Sequence, residues 1–195
     1  MFSLLKEVLV KIAKKLNQTG ITWALGGSVM LELRGLPVKP NDIDLLVSLE
    51  DVGKADRVIK NLCQSRQNNS HKKDENYATQ FFYQYKIGGI DFDLMAGFTL
   101  KLKEKEAKKI FEYRFNETSI VKNMKLNDAK IPLSSIEDWY VLYNLMPGKQ
   151  NKVQLIEKHF KEKGIQYPDI LKGYQKENIS IKLNHKINSV LNRKN

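Results

Sequence analysis

The chain has 195 residues, 42% of them hydrophobic and 28% charged. That is enough apolar material for one packed domain, or a core with a helical appendage, and it excludes global disorder. The formal net charge is +11, split into +2 over residues 1–100 and +9 over residues 101–195. Such an excess attracts polyanions such as a nucleotide or RNA, although lysine-coated solvated helices produce it too.

Phe2, Leu4, Leu5, Val8, Leu9, Ile12, Ala13 and Leu16 recur at helical spacing and predict an amphipathic helix ending near residues 17–20. Lys6 and Glu7 break the first apolar turn, so it does not read as a signal sequence. No apolar run approaches the roughly 18–20 residues that span a bilayer. Residues 21–25 form a short, nearly continuous apolar strand, expected at the centre of a sheet. The turn Gly26-Gly27-Ser28 follows, then a helix over residues 28–34 that Gly35 and Pro37 stop. Residues 43–47 are the second strand.

A helix over residues 50–63 presents Val52, Ala55, Val58, Ile59 and Leu62 on one face. Cys63, the only cysteine, excludes an intrachain disulfide and reads as a small core residue. Residues 64–79 are polar and read as a mobile loop. An aromatic strand over residues 80–87 then turns at Gly88-Gly89 into a second strand, Ile90-Asp91-Phe92-Asp93-Leu94-Met95. Packing of that hairpin accounts for its aromatic side chains better than RNA stacking does. Residues 101–110 are a charged segment, residues 118–121 and 124–126 look extended, and residues 130–133 form a last strand or loop. Ser134 or Ser135 caps a helix running to residue 146, with Glu137 and Asp138 in its first turn. Pro147-Gly148 breaks it, a helix over residues 149–163 follows, and the tail over residues 168–190, with Ile179, Leu183, Ile187 and Leu191 at helical spacing, predicts one final basic helix. His71, His159 and His185 are solitary, so zinc is not expected; His71, in a polar loop, and His159, on a charged helix, are expected to face solvent.

Two constellations carry chemistry. Asp42 and Asp44 are spaced i, i+2, so on a strand they point the same way with Cα atoms about 6.5 Å apart. Ile43, Leu45, Leu46 and Val47 around them look like a strand buried on both faces. Two like charges there repel unless a cation lies between them. The glycine-serine turn at a helix start presents free backbone N–H groups suited to phosphate oxygens. Neither feature alone is specific: Ser28 can simply cap a helix, and the turn is not one of the standard glycine-rich nucleotide loops.

Together, Gly27-Ser28, the short helix to Leu33-Arg34-Gly35 and Asp42-Ile43-Asp44 resemble the signature of the DNA polymerase β-like nucleotidyltransferase superfamily. The resemblance covers residues 1–100 and extends more loosely through residues 134–139 and 149–152. It implies an α/β (α+β) nucleotidyltransferase core with a small mixed sheet flanked by helices over residues 1–126. A helical C-terminal region over residues 127–195 completes the expectation. It further implies a third carboxylate from a later strand. Asp93 is the choice, because the fourth position after Gly88-Gly89 comes level with the pair, and Asp91 is the alternative. Gly26, Gly27, Ser28 and Lys149, or else Lys152, are implied to hold the triphosphate, although a lysine on an amphipathic helix is more often a surface residue.

The activity implied is transfer of a nucleoside monophosphate from a nucleoside triphosphate such as ATP to a hydroxyl acceptor, with release of pyrophosphate. Mg²⁺ or Mn²⁺ would be held by Asp42, Asp44 and Asp93, as two ions about 3.5–4 Å apart. The acceptor can be a small molecule, a protein side chain or an RNA end. The alternatives are a non-catalytic nucleotide-binding module, such as a toxin–antitoxin component, and an RNA-directed transferase favoured by the basic second half. No membrane partner is expected, and the setting is cytoplasmic.

Overall fold

The computed structural model describes residues 2–63, 65–67, 72–73, 75–103, 108–177 and 179–192. Of the expected stripe, helix α1 (Phe2–Asn17) buries Leu5, Val8, Leu9, Ile12, Ala13 and Leu16, whereas Leu4 is exposed. Each large apolar side chain so removed from water contributes about 1.5–3 kcal/mol. Strand β1 (Trp23–Leu25) is wholly buried. Helix α2 (Gly27–Leu33), strand β2 (Asp42–Val47) and helix α3 (Val52–Lys60) follow.

The polar segment read as a loop contains short strands β3 (Ser65–Gln67), β4 (Lys72–Lys73) and β5 (Ala78–Thr79). His71 lies outside the described residues. The aromatic hairpin is β6 (Phe81–Ile87) and β7 (Ile90–Ala96). The charged segment that follows is a second hairpin, β8 (Phe98–Lys103) and β9 (Lys108–Tyr113). A 3-10 turn over Glu117–Ser119, capped by Asn116, leads into β10 (Lys122–Leu126) and β11 (Ala129–Leu133).

The main sheet runs β10-β11-β1-β2-β7-β6-β3, with β1·β11 and β2·β7 parallel and the other pairs antiparallel. The mixed α/β class expected from the sequence is therefore the one observed. One face of β2 carries Ile43, Leu45 and Val47, all buried; α1 packs against β2 and β7, and α3 against β7. On that face Tyr85 donates to Asp56 of α3 at 2.6 Å. The opposite face of β2 carries Asp42 and Asp44. The end of residues 1–126 falls at the β10–β11 turn, and β11 pairs beside β1 inside the sheet.

The C-terminal part is helical. Helix α4 (Ile136–Leu145) starts at Ser135, whose Oγ accepts from the Asp138 N–H at 2.8 Å. Helix α5 (Gln150–Lys163) ends at Gly164, which has φ of 79°. The tail forms two helices rather than one, α6 (Pro168–Gln175) and α7 (Ile181–Leu191). Pro168 suits the start of α6 because its missing N–H is not needed there. Ser180 caps α7 by accepting from the Leu183 N–H at 3.2 Å, which leaves Ile179 outside the helix its spacing suggested. No described helix is long and apolar enough to cross a membrane.

Candidate functional site

Parallel pairing of β2 with β7 sets Asp42 opposite Asp91 and Asp44 opposite Asp93. Parallel partners in register share a face, so all four carboxylates leave the sheet on one side. They do not converge equally. Asp42, Asp44 and Asp93 each place a carboxylate oxygen within 4.8 Å of the others, and all three are half-buried. Asp91 lies further out, exposed, and pairs with Lys86 at 3.2 Å. Gln84 of β6 donates from Nε2 to Asp93 Oδ1 at 3.2 Å.

The turn after β1 is fastened to this acid group. The Gly26 N–H donates to the Asp44 carbonyl at 2.9 Å. Gly27 has φ of 60°, a region that L side chains avoid. A β-carbon on Gly26 would fall 2.3 Å from the Trp139 indole. Both glycines are thus required by close approach, and Gly27 by its backbone angle as well. Helix α2 begins at Gly27, not Ser28; Gly26 is its N-cap and supplies no side-chain cap. The first amides of a helix have no partner within it. Ser28 sits in the first turn and is buried.

Helices α4 and α5 close the other side. Trp139 packs over Gly26, its Nε1–H donates to Ser134 Oγ at 2.8 Å, and Ser134 donates to the Leu25 carbonyl at 3.0 Å. Tyr143, one turn on, lies 5.1 Å from Trp139 between ring centroids. Lys152 donates to the Tyr143 hydroxyl at 3.4 Å and stands 4.9 Å from its ring centroid. The cleft between these elements has a volume of about 150 Å³, and the three acids, Trp139, Tyr143, Lys149 and Lys152 line it. Lys149 and Lys152 therefore both face the acids. Larger cavities of about 720 and 590 Å³ are lined by other residues and contain none of the three carboxylates.

Burial, then the charges of Asp42 and Asp93, pushes Asp44 up to about 7, while Lys152 and Lys149 pull the other way. Burial and then Lys149 draw Lys152 below the usual lysine range, against the pull of Asp44 and Asp42. Burial, then Asp44 and Asp42, raises the Tyr143 phenol. Three convergent carboxylates are a hard oxygen donor set, the kind that holds Mg²⁺ or Mn²⁺.

Sequence reasoning missed Trp139 and Tyr143, which look like any aromatic core positions of an apolar helix. It placed His159 on the solvent side; it is half-buried beside Arg34 and Glu137, and burial followed by Arg34 lowers its pKa. Cys63 is half-buried, with its thiol donating to the Lys60 carbonyl at 3.2 Å. On the far side of α4, buried Asp138 accepts from Tyr113 at 3.0 Å and Tyr174 at 2.7 Å.

No protein-family model matches the chain, and no curated protein does. Solved structures do. TM1012 from Thermotoga maritima, assigned as a candidate nucleotidyltransferase, matches with a TM-score of 0.60 and 24% identity over 80% of this chain and 92% of its own. ANT(2'')-Ia, crystallised with adenylyl-2''-tobramycin, matches with a TM-score of 0.54 and 13% identity over 95% of this chain and 98% of its own.

Proposed function

From the premise that the chain has the DNA polymerase β-like nucleotidyltransferase fold, we propose that it is a metal-dependent nucleotidyltransferase. It moves a nucleoside monophosphate from a nucleoside triphosphate to a hydroxyl acceptor and releases pyrophosphate. The observation that supports this is the convergence of Asp42, Asp44 and Asp93 within 4.8 Å, against a glycine turn that only a residue without a side chain can form.

Asp42, Asp44 and Asp93 would hold the divalent cation. A bound cation supplies Lewis-acid polarisation of the phosphoryl oxygens and lowers the pKa of the attacking hydroxyl. The amides of Gly27 and Ser28 would serve the β- and γ-phosphates, because helix-start N–H groups satisfy anionic oxygens, while Gly26, whose N–H is engaged by the Asp44 carbonyl, shapes the turn. Lys149 and Lys152 lie across the cleft from that turn and offset the remaining negative charge. Asp93, on the strand beyond the one that carries Asp42 and Asp44, would receive the acceptor's proton. The acceptor oxygen forms a bond to the α-phosphorus as the bond to the β-phosphate bridging oxygen breaks.

The alternative is a nucleotide-binding module without transfer, such as a toxin–antitoxin component; three convergent carboxylates weigh against it, since binding alone does not need all of them. Incubation with each α-labelled triphosphate, Mg²⁺ and cell extract decides. Transfer expects a labelled product that wild type makes and Asp44→Asn does not. Absence of label from all four nucleotides overturns the proposal.

A further inference from the structure

Asp91 and Asp93 leave one face of β7 two residues apart, yet only Asp93 joins the acid group. The strand on the far side of β7 treats them differently. Strand β6 pairs antiparallel with β7, and its register sets Gln84 opposite Asp93 and Lys86 opposite Asp91. Directly opposed residues of an antiparallel pair share a face and reach one another. Each acid accordingly has its own partner from β6. Asp93 Oδ1 accepts from Gln84 Nε2 at 3.2 Å, and Asp91 Oδ1 pairs with Lys86 Nζ at 3.2 Å. One partner is neutral and the other is a cation.

That difference has a chemical consequence. A lysine beside a carboxylate offsets its charge and competes with a metal cation for the same oxygens. A glutamine N–H orients the carboxylate and leaves its full negative charge in place. The location of Gln84 suits such a role. Asp93 lines both the cleft and a second cavity of about 320 Å³ against β6, whereas Gln84 lines only the second, together with Lys86 and Asp91. The amide thus reaches Asp93 from the β6 side and touches neither the cation's place nor the reacting atoms. Three carboxylates with oxygens within 4.8 Å of one another repel. An unheld third acid would turn away from the pair, and Lys86, two residues along the same face of β6, would attract it.

We propose that Gln84 is the positioning residue of the third carboxylate: its amide fixes Asp93 beside Asp42 and Asp44 and, being uncharged, leaves that acid available to a divalent cation. The inference rests on the metal-dependent reading above. The β6 residue opposite each acid, neutral or cationic, then helps decide which acid of β7 serves as the ligand.

The test uses the full chain with Mn²⁺ and no nucleotide. The EPR signal of free Mn²⁺ gives the affinity of wild type, Gln84→Met, Gln84→Lys and Lys86→Met, and thermal melts show that each variant is folded. Gln84→Met keeps the length of the side chain and loses the donor. It should weaken Mn²⁺ binding about 10- to 100-fold, the scale on which the hydrogen-bond partners of metal ligands act. Gln84→Lys restores a donor but brings a charge, and should weaken binding at least as much. Lys86→Met should not weaken it. A merely structural role for Gln84 would move the melting temperature and leave the affinity of the folded protein alone. Wild-type affinity in Gln84→Met or Gln84→Lys, or an equal loss in Lys86→Met, overturns this inference while the metal-dependent reading stands. Mn²⁺ binding that Gln84→Met weakens, with no labelled product from any nucleotide, upholds the positioning role and removes the transfer reading instead. No Mn²⁺ binding by the wild type overturns both.

Discussion

Gly27 and Asp44 are packed so closely that a β-carbon on the glycine would lie 1.8 Å from Asp44 Oδ2. Substitution Gly27→Ala therefore adds a clash to a backbone angle that itself costs an L-residue about 1–2 kcal/mol. The melting temperature should fall by several degrees, at about 2–4 °C per kcal/mol for a chain of this size. Displacing Asp44 by an ångström should reduce transfer about a hundredfold. Calorimetry and a pyrophosphate-release assay check the two effects separately. An unchanged rate in Gly27→Ala would show that the turn does not constrain the acid.

The Asp44 carboxyl stands at about 7 in the folded chain, above its ordinary value of 3.8. A raised carboxylate makes the folded state bind more protons than the unfolded one. Its stabilising contribution is complete below about pH 4, is lost progressively as pH rises towards 7, and is absent above. In chelator, the melting temperature of wild type should therefore decline over that window. Buried Asp138 is raised as well and contributes in the same sense, so the difference between wild type and Asp44→Asn isolates the Asp44 part. Identical pH profiles for the two proteins would contradict the assignment.

Addition of Mg²⁺ at a hundred times its dissociation constant should stabilise the wild type by about 2.7 kcal/mol. The same addition should leave the double variant Asp42→Asn, Asp93→Asn unmoved. Differential scanning fluorimetry with and without Mg²⁺ measures this without any substrate. Equal shifts in both proteins would place cation binding elsewhere.

Asp138 holds β9 and α6 to α4 through the hydroxyls of Tyr113 and Tyr174. Tyr174→Phe removes one donor from a buried carboxylate and should cost about 1–3 kcal/mol. Urea denaturation reads the loss. The folded variant should transfer at the wild-type rate, because Asp138 does not line the cleft with the three acids.

The period-two spacing of Asp42 and Asp44, and of Asp91 and Asp93, was sufficient to anticipate a carboxylate face, because strand geometry leaves such pairs no other disposition. The β2–β7 register then separates Asp93 from Asp91 through contacts far apart in sequence, with Lys86 drawing Asp91 outward. Local pattern failed where tertiary pairing overrides composition. The charged residues of β8 and β9 form a hairpin although their lysines mimic a solvated segment, and Ser65–Gln67 becomes an edge strand because Lys86, Tyr85 and Gln84 offer partners. The tail reads as one periodic helix, yet Lys176 and Glu177 close α6 with turn hydrogen bonds to Gly173 and Tyr174. Trp139 gave no local sign of its role: its significance lies in Gly26, more than a hundred positions upstream.

That separation sets an order of events at the ribosome. A nascent chain that has exposed its first hundred residues already owns every acid of the centre, yet β1 has only one neighbour and nothing covers Gly26. Only when β11 slots in and Trp139 and Lys152 emerge is the cleft walled. The centre is thus walled only once the chain has been made through Lys152.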